Sequence, residues 1–198
     1  MINLIRKELL ASAEVKRVLA EEQAEAILEI GRILFLALQS RGKILFCGNG
    51  GSAADAQHLT AELVGRYRRE RKGLPALALT ANPAVLTAVG NDYDFTEVFA
   101  RQAEALVNKE DVLVALSTSG NSPNVIAAVE AAKAKGAVTV GLTGKDGGLL
   151  GRLAGHALRV PAGKTARIQE AHLTIGHILC GLVEEAVFKG WQGSAADG

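Results

Sequence analysis

The chain has 198 residues, of which 48% are hydrophobic and 22% are charged, and its formal net charge is +1. A charge this close to zero lacks the electrostatic footprint of proteins that bind nucleic acid or anionic membranes. No uninterrupted apolar run reaches bilayer-spanning length, and the charged N-terminal sequence MINLIRKELL is unlike a signal peptide. We therefore expect one cytoplasmic domain over residues 1–189, without nucleic-acid or membrane partners, and a disordered tail over 190–198.

The first 38 residues predict two amphipathic helices. They contain no proline, and apolar side chains recur at helical spacing on both sides of a predicted break near Glu21. Because these helices precede any alternation of strands and helices, we expect their apolar faces to pack on another copy of the chain as well as on a sheet.

The rest of the chain alternates short apolar runs with helical segments. The predicted strands are Lys43–Cys47, Pro75–Leu79, Val112–Leu116, Ala137–Leu142 and Ala157–Val160. The predicted helices are Ala53–Arg66, Ala84–Val89, Phe95–Val107, Pro123–Ala134, Leu149–Leu153 and Ala166–Lys189. This alternation predicts an α/β fold with a doubly wound, mostly parallel sheet between helices. The two cysteines, Cys47 and Cys180, lie in apolar surroundings without a CxxC spacing, which predicts buried free thiols.

A hydroxyl-rich turn follows the central predicted strand. It contains Ser117, Thr118, Ser119 and Ser122, with Ser122 as the predicted N-cap of a helix that begins at Pro123. Backbone N–H groups, the positive end of a helix dipole and several hydroxyls then converge on one point, which suits a phosphate. An ordinary strand-to-helix connection needs a single N-cap side chain, which would account for only one of these four hydroxyl groups.

Two further turns are polar. The first, Gly48-Asn49-Gly50-Gly51-Ser52, combines glycines that allow close backbone approach with two side-chain donors. It matches neither the dinucleotide fingerprint nor the lysine-containing P-loop, which disfavours a nucleotide. The second contains Asn91 and Asp92.

Acid–base and metal-ligating side chains occur on two predicted helices. His58 and Glu62 are four residues apart and share one helix face, where they could bind a divalent metal, carry protons, or simply form a surface contact. The final helix carries Gln169, Glu170, His172 and His177, and helical geometry alone does not select among them. The basic stretch over residues 65–73 predicts a solvated helix end, with Arg66 nearest the glycine turn as a candidate contact for an anion.

Five separated motifs together resemble one family. The segments GNGGSAADAQH, ELVGR, GND, STSGNSPNV and RIQEAH followed by GH are similar to those of the phosphoheptose isomerases of the sugar-isomerase (SIS) domain superfamily. The resemblance implies an α/β domain with N-terminal helices, assembled as a homotetramer with active sites at subunit boundaries. It also implies isomerisation of D-sedoheptulose 7-phosphate to D-glycero-D-manno-heptose 7-phosphate, the first step toward the heptose of bacterial surface polysaccharides.

The resemblance also implies roles for individual residues. The implied phosphate ligands are Ser117, Thr118, Ser119 and Ser122, and the implied contacts to the rest of the substrate are Asn49, Gly50, Gly51, Ser52, Glu62, Asn91, Asp92 and Gln169. The implied zinc ligands are His58, Glu62, Gln169 and His177. Our catalytic hypothesis is that Glu62 moves the carbon-bound proton while His177 moves protons at oxygen. Ala166 stands where some relatives carry an acid.

Three alternatives remain at this point. A non-catalytic module that binds phosphosugars, or that assists assembly of a replication initiator, would have no use for an acid–base pair. A different sugar-phosphate isomerase would need similar groups. A transferase is disfavoured because no second substrate site or activated nucleophile is evident in the sequence.

Overall fold

Strands and helices alternate along residues 1–191, the part of the chain that the computed structural model describes. The strands are β1 Ile44–Gly48, β2 Ala76–Ala78, β3 Val112–Ser117, β4 Val138–Thr143 and β5 His156–Arg159. The helices are α1 Ile2–Glu22, α2 Ala24–Gln39, α3 Gly51–Val64, α4 Pro83–Asp92, α5 Ala100–Leu106, α6 Pro123–Ala134, α7 Leu150–Leu153 and α8 Thr165–Lys189.

The five strands form a single parallel sheet in the order β2-β1-β3-β4-β5. From β1 the chain moves to β2 on one side, and it later enters β3 on the other side. The strand order therefore reverses between β1 and β3, and the loops that leave these two strands border a crevice at the carboxyl edge of the sheet. The predicted doubly wound fold is confirmed, and the sheet is entirely parallel.

Both faces of the sheet are covered, because alternate residues of each strand point to opposite sides. Ile44 and Phe46 of β1 pack in the cluster that includes α2, α3 and α8, whereas Leu45 and Cys47 pack in the cluster that includes α5 and α6. Cys47 and Cys180 are both buried and free, as predicted, and burial raises the pKa of each thiol to about 12.

The N-terminal helices are separated at Gln23, close to the predicted break. Helix α2 buries Ile27, Ile30 and Leu34 in the core. Helix α1, in contrast, leaves large apolar side chains exposed at Ile2, Leu4, Ile5, Leu9 and Leu10. An apolar groove of about 430 Å³ also runs between α1, α2 and α8.

The segment between β2 and β3 differs in detail from its prediction. Helix α4 is longer than predicted and includes Asn91 and Asp92, which were expected in a turn. The predicted helix Phe95–Val107 is divided into a 3₁₀ turn over Phe95–Glu97 and the short helix α5. The Asp94 side chain accepts a hydrogen bond from Thr96 N at 2.8 Å, and this local cap favours the 3₁₀ turn over a continuous helix.

The basic stretch after α3 is not uniformly solvated, so that prediction was wrong for Arg71. Arg71 Nε lies 3.0 Å from Glu184 Oε1 of α8, and the two side chains are only 3% and 2% exposed. The Glu184 carboxylate also accepts backbone N–H bonds from Tyr67, Arg68 and Arg69 at 2.8–3.2 Å. The segment is therefore folded back onto α8 by a buried ion pair that sequence alone did not indicate.

This ion pair predicts an acid-dependent contribution to stability. Burial raises the pKa of Glu184, but the three backbone N–H donors and the Arg71 charge outweigh it and hold that pKa below its usual 4.5. A carboxyl whose pKa is lowered by folding stabilises the protein above its unfolded pKa, and the contribution is lost as pH falls through the folded value. The urea midpoint of wild type should therefore exceed that of Glu184→Gln at neutral pH, and the difference should shrink below pH 4.5. A difference that stays constant into acid would contradict this prediction.

Helix α8 packs against α1, α2 and α3. By length and composition alone it is apolar enough to span a bilayer, but half of its most apolar window is buried inside the protein. Beyond it, the Trp191 ring stacks on Phe35 with centroids 6.0 Å apart. The predicted tail begins at Gly190, and residues 192–198 of that tail lie outside the described part of the chain.

Candidate active site

The hydroxyl-rich loop lies between the end of β3 and the start of α6. Ser122 is at the N-cap position, as predicted, but its hydroxyl does not cap the helix. Instead, Ser122 Oγ lies 2.9 Å from Ser117 Oγ, which is in turn 3.5 Å from Ser119 Oγ. The three hydroxyls therefore form a connected group, with Thr118 between them in sequence, at the positive end of the α6 dipole. This arrangement supplies hydroxyl groups that could donate hydrogen bonds to a phosphate.

The loop after β4 holds this hydroxyl-rich loop in place. Leu150 N donates to Gly120 O at 2.8 Å, and Leu149 N donates to the Asn121 side chain at 2.9 Å. Gly120 has a φ of 66°, and a Cβ on it would overlap the backbone oxygen of Gly147. Only glycine fits here, because the position requires both a left-handed backbone and the absence of a side chain.

Replacing Gly120 by alanine should therefore destabilise the protein more than the same change at Gly50. Gly50 also has a positive φ, 55°, but a Cβ there would meet nothing within 4 Å. Gly50→Ala should lower the free energy of unfolding by roughly 1–3 kcal/mol through its backbone alone. Gly120→Ala should lower the free energy of unfolding by roughly a further 1–3 kcal/mol, because its Cβ would overlap the backbone oxygen of Gly147. Denaturant titration of both variants tests this, and equal losses would contradict the steric argument.

The glycine-rich turn after β1 faces the hydroxyl-rich loop across the crevice. Asn49 and Asn124 exchange two side-chain hydrogen bonds, each 2.8 Å long, and Asn124 is only 2% exposed. Gly50 and Gly51 follow at the start of α3, and Ser52 is buried in its first turn. The reciprocal amide pair thus ties the two predicted ligand-binding loops together. Asn124 was not selected from sequence, because nothing there identifies its partner.

A compact group of acid–base side chains lies farther along α3. His58 Nε2 is 2.8 Å from His177 Nε2 of α8 and 3.4 Å from Glu62 Oε1. All three ligand atoms lie within 4.8 Å of one another. Two imidazole nitrogens and one carboxylate oxygen are a donor set that suits zinc with a position left for substrate. One chain supplies all three groups, and His177 is the histidine of α8 that joins His58 and Glu62.

Two further polar residues adjoin this group. The Gln169 amide packs against Gly51, so closely that a Cβ on that glycine would overlap it. Asp55 is 6% exposed, and its Oδ2 is buried without a hydrogen-bond partner among residues 1–191. Burial raises the pKa of Asp55, opposed by a hydrogen bond from Gln169 and by the charge of His58. Asp55 was missed from sequence, although its spacing of three and seven residues from His58 and Glu62 places it on the same helix face.

The remaining predicted contacts lie at the surface. The Asn91 and Asp92 side chains are exposed, and their only side-chain hydrogen bond within residues 1–191 joins them to each other at 2.8 Å. The Arg66 side chain is 62% exposed, and it lies 3.8 Å from Glu70. These residues are not brought into the His58–Glu62–His177 group, and their predicted roles rest on the resemblance alone.

Comparison with known proteins yields one family. Residues 10–144 match the SIS domain. The chain is 56% identical over 168 residues to a phosphoheptose isomerase of Solidesulfovibrio magneticus, covering 85% of this chain and 82% of that protein. It is 52% identical over 182 residues to a phosphoheptose isomerase of Helicobacter pylori, covering 92% and 95%. The solved structure of a phosphoheptose isomerase from Francisella tularensis superposes with a TM-score of 0.90 at 38% identity, covering 93% and 98%. With these identities over nearly the full length of the relatives, the chain belongs to the phosphoheptose isomerases of the SIS domain family.

Proposed function

We propose that the chain isomerises D-sedoheptulose 7-phosphate to D-glycero-D-manno-heptose 7-phosphate through an enediol. The observation that carries this proposal is the convergence of His58, Glu62 and His177, in a chain that also has a hydroxyl-rich loop at the switch point of the sheet. A phosphosugar-binding module needs only that loop. A base, a second proton carrier and a phosphate cradle on one chain are what an aldose–ketose isomerase requires.

In this proposal, Glu62 moves the proton between C1 and C2 of the substrate. Its Oε1 faces His58 at 3.4 Å, while within residues 1–191 its side chain makes no other ion pair or hydrogen bond, which leaves Oε2 to accept the carbon-bound proton. In this proposal, His177 donates protons to and accepts protons from the substrate oxygens at C1 and C2. The same carboxylate then returns its proton to the neighbouring carbon.

The hydroxyl-rich loop anchors the opposite end of the substrate. Ser117, Ser119 and Ser122 are held by their mutual contacts and by the loop after β4, so they need little reordering on binding. Helix α3 places His58 about 10 Å from Gly51, because seven residues rise roughly 1.5 Å each. In the proposed complex, an open-chain sugar phosphate fixed at its phosphate extends along α3 with its reacting carbons beside Glu62.

The proposal includes a zinc ion held by His58, Glu62 and His177, with Gln169 as a fourth candidate ligand. The nitrogen and oxygen donors within 4.8 Å support it. When bound, zinc would polarise the substrate carbonyl as a Lewis acid and stabilise negative charge on oxygen. His58 then acts as a ligand that also fixes the position of Glu62, one helical turn away.

We also propose that the enzyme is a cytoplasmic homotetramer that supplies heptose for surface polysaccharide. Support for assembly comes from the exposed apolar residues of α1 and from the apolar groove between α1, α2 and α8. Exposed apolar surface of this kind is typical of protein–protein contacts. Sedimentation of the purified chain tests this part separately, and a monomeric mass would contradict it.

The reaction itself is tested by incubating purified protein with sedoheptulose 7-phosphate and following the sugar signals by NMR. We expect the aldose product to accumulate, and we expect activity to fall with a chelator and return with zinc. Binding without turnover would favour a non-catalytic module, and turnover only of other ketose phosphates would favour a different isomerase. Full activity after exhaustive chelation would contradict the metal but leave the acid–base roles standing.

A further inference from the structure

The ring of His177 is held by contacts that the proposed chemistry does not use directly. Within residues 1–191 its only hydrogen bond is at Nε2, to His58 at 2.8 Å. A single bond at one ring nitrogen leaves the imidazole free to change its tilt. Histidines that bind metals usually gain a second anchor from a bond at the other nitrogen. Here the second anchor is a flat stack on Tyr67, with ring centroids 5.6 Å apart and an interplanar angle of 10°.

Tyr67 is itself fixed by the buried carboxylate of Glu184. The backbone N–H of Tyr67 donates to Glu184 Oε1 at 3.2 Å, and those of Arg68 and Arg69 donate to Oε2 at 2.8 and 3.0 Å. On α8, Gly181 faces the aromatic ring, and a Cβ there would lie 3.4 Å from Tyr67 Cε1, an ordinary van der Waals distance. The loop therefore cannot shift along α8 without breaking several buried hydrogen bonds.

The same carboxylate connects the two helices that bear the acid–base group. Glu184 lies seven residues after His177, so both project from nearly the same face of α8. Its partner Arg71 donates to the carbonyls of Glu62 at 2.8 Å and Leu63 at 2.7 Å, in the last turn of α3. These carbonyls have no partner within their own helix, because they lie at its C-terminal end. One ion pair thus fixes the end of α3 relative to α8.

We propose that Tyr67, Glu184 and Arg71 are positioning residues for the isomerase: Tyr67 sets the ring plane of His177, and the Glu184–Arg71 pair holds Tyr67 and the Glu62 turn in register with it. The expected effect of these three residues on catalysis rests on the proposed function. None of the three needs to touch the substrate. Their effect is on kcat, since a misaligned imidazole still permits phosphate binding but transfers protons poorly.

The test compares Tyr67→Leu with Tyr67→Phe, which keeps the ring. In Tyr67→Leu we expect kcat to fall about 10–100-fold, as is typical for residues that orient an active-site group, with KM within about twofold of wild type. Tyr67→Phe should retain most of the activity. Histidine side-chain NMR on the substrate-free protein should show the His177 ring signals displaced in Tyr67→Leu and nearly unchanged in Tyr67→Phe. Wild-type kcat, a loss confined to KM, or unmoved His177 signals in Tyr67→Leu would overturn the proposal.

A second pair of variants tests the carboxylate. Glu184→Gln cannot accept all four hydrogen bonds, so it should displace the His177 signals and lower kcat as Tyr67→Leu does. Glu185→Gln is the matched control, because the Glu185 side chain is adjacent in sequence but 43% exposed. If Glu184→Gln does not fold, the comparison of Tyr67→Leu with Tyr67→Phe still tests the proposal. If wild type shows no turnover, the proposed function fails, whereas the NMR comparison still tests whether Tyr67 sets the His177 ring.

Discussion

Glu62→Gln is expected to lower kcat by about 10²–10⁴-fold, the range that a single general acid–base group contributes. Glutamine keeps the shape of the side chain but cannot accept and return a carbon-bound proton. Sugar-phosphate binding should survive, because the phosphate is proposed to bind at the loop of Ser117, Ser119 and Ser122, not at Glu62. The measurements are turnover of sedoheptulose 7-phosphate by NMR and substrate affinity by calorimetry.

The matched control for this prediction is Glu70→Gln, which makes the same chemical change nearby. The Glu70 side chain is 90% exposed and lies 3.8 Å from Arg66, so its replacement should leave kcat near that of wild type. Zinc content has to be measured in both variants, since Glu62 is also a proposed ligand. An active Glu62→Gln variant would exclude this residue as the proton carrier, and lost phosphate-sugar binding would contradict the separation of the two parts of the site.

Glu184→Ala is expected to produce the largest loss of stability. It leaves Arg71 as an unpaired charge in a site where its side chain is 3% exposed, and it removes the acceptor of three backbone N–H groups. Breaking one side of a buried ion pair costs about 3–5 kcal/mol. For a chain of this length that corresponds to a Tm lower by roughly 6–20 °C. Thermal unfolding at a fixed protein concentration measures it, because assembly would make Tm depend on concentration.

The control for Glu184→Ala is Glu185→Ala. Glu185 lies 2.8 Å from Arg69 and 2.5 Å from Lys189, but its side chain is 43% exposed and its partners are about half exposed. Exposed ion pairs contribute about 0–1 kcal/mol, so its removal should change Tm little. The double change Arg71→Met with Glu184→Met should recover only part of the loss, since the backbone donors stay unpaired. Equal effects at positions 184 and 185 would show that burial of the pair is not the cause.

The order of elements and the position of the site at the sheet edge could be predicted from local patterns. Apolar runs marked the strands, and glycines and hydroxyls marked the turns after β1 and β3. The pairing of His58 with Glu62 followed from helical spacing alone. Assignments that depend on a short local preference were less accurate: the Asp94 cap favoured a 3₁₀ turn where a continuous helix was predicted, and Ser122 occupied the N-cap without bonding the helix.

Contacts between distant residues could not be predicted in the same way. Choosing among the polar residues of α8 required either the family resemblance or the structure, which places His177, 119 residues along the chain, beside His58. Asp55 and Asn124 became candidates only once their buried neighbours were known. Arg71 looked like one of several solvated cations, because its sequence neighbours are basic and its partner Glu184 is 113 residues away.

The sequence by itself determined the order of strands and helices and the chemical nature of the two loops, because each depends on residues that are near one another in the chain. The alternation of strands and helices in turn predicted the parallel sheet. Only the tertiary structure decided which side chains share a pocket and which charges lose contact with water. Helix α8 packs against α3 and against the loop that follows α3. This packing brings His177 close to Glu62 and buries Glu184 against Arg71. Such proximity depends on how helices pack on the sheet, and side chains far apart in sequence leave no local signal of it.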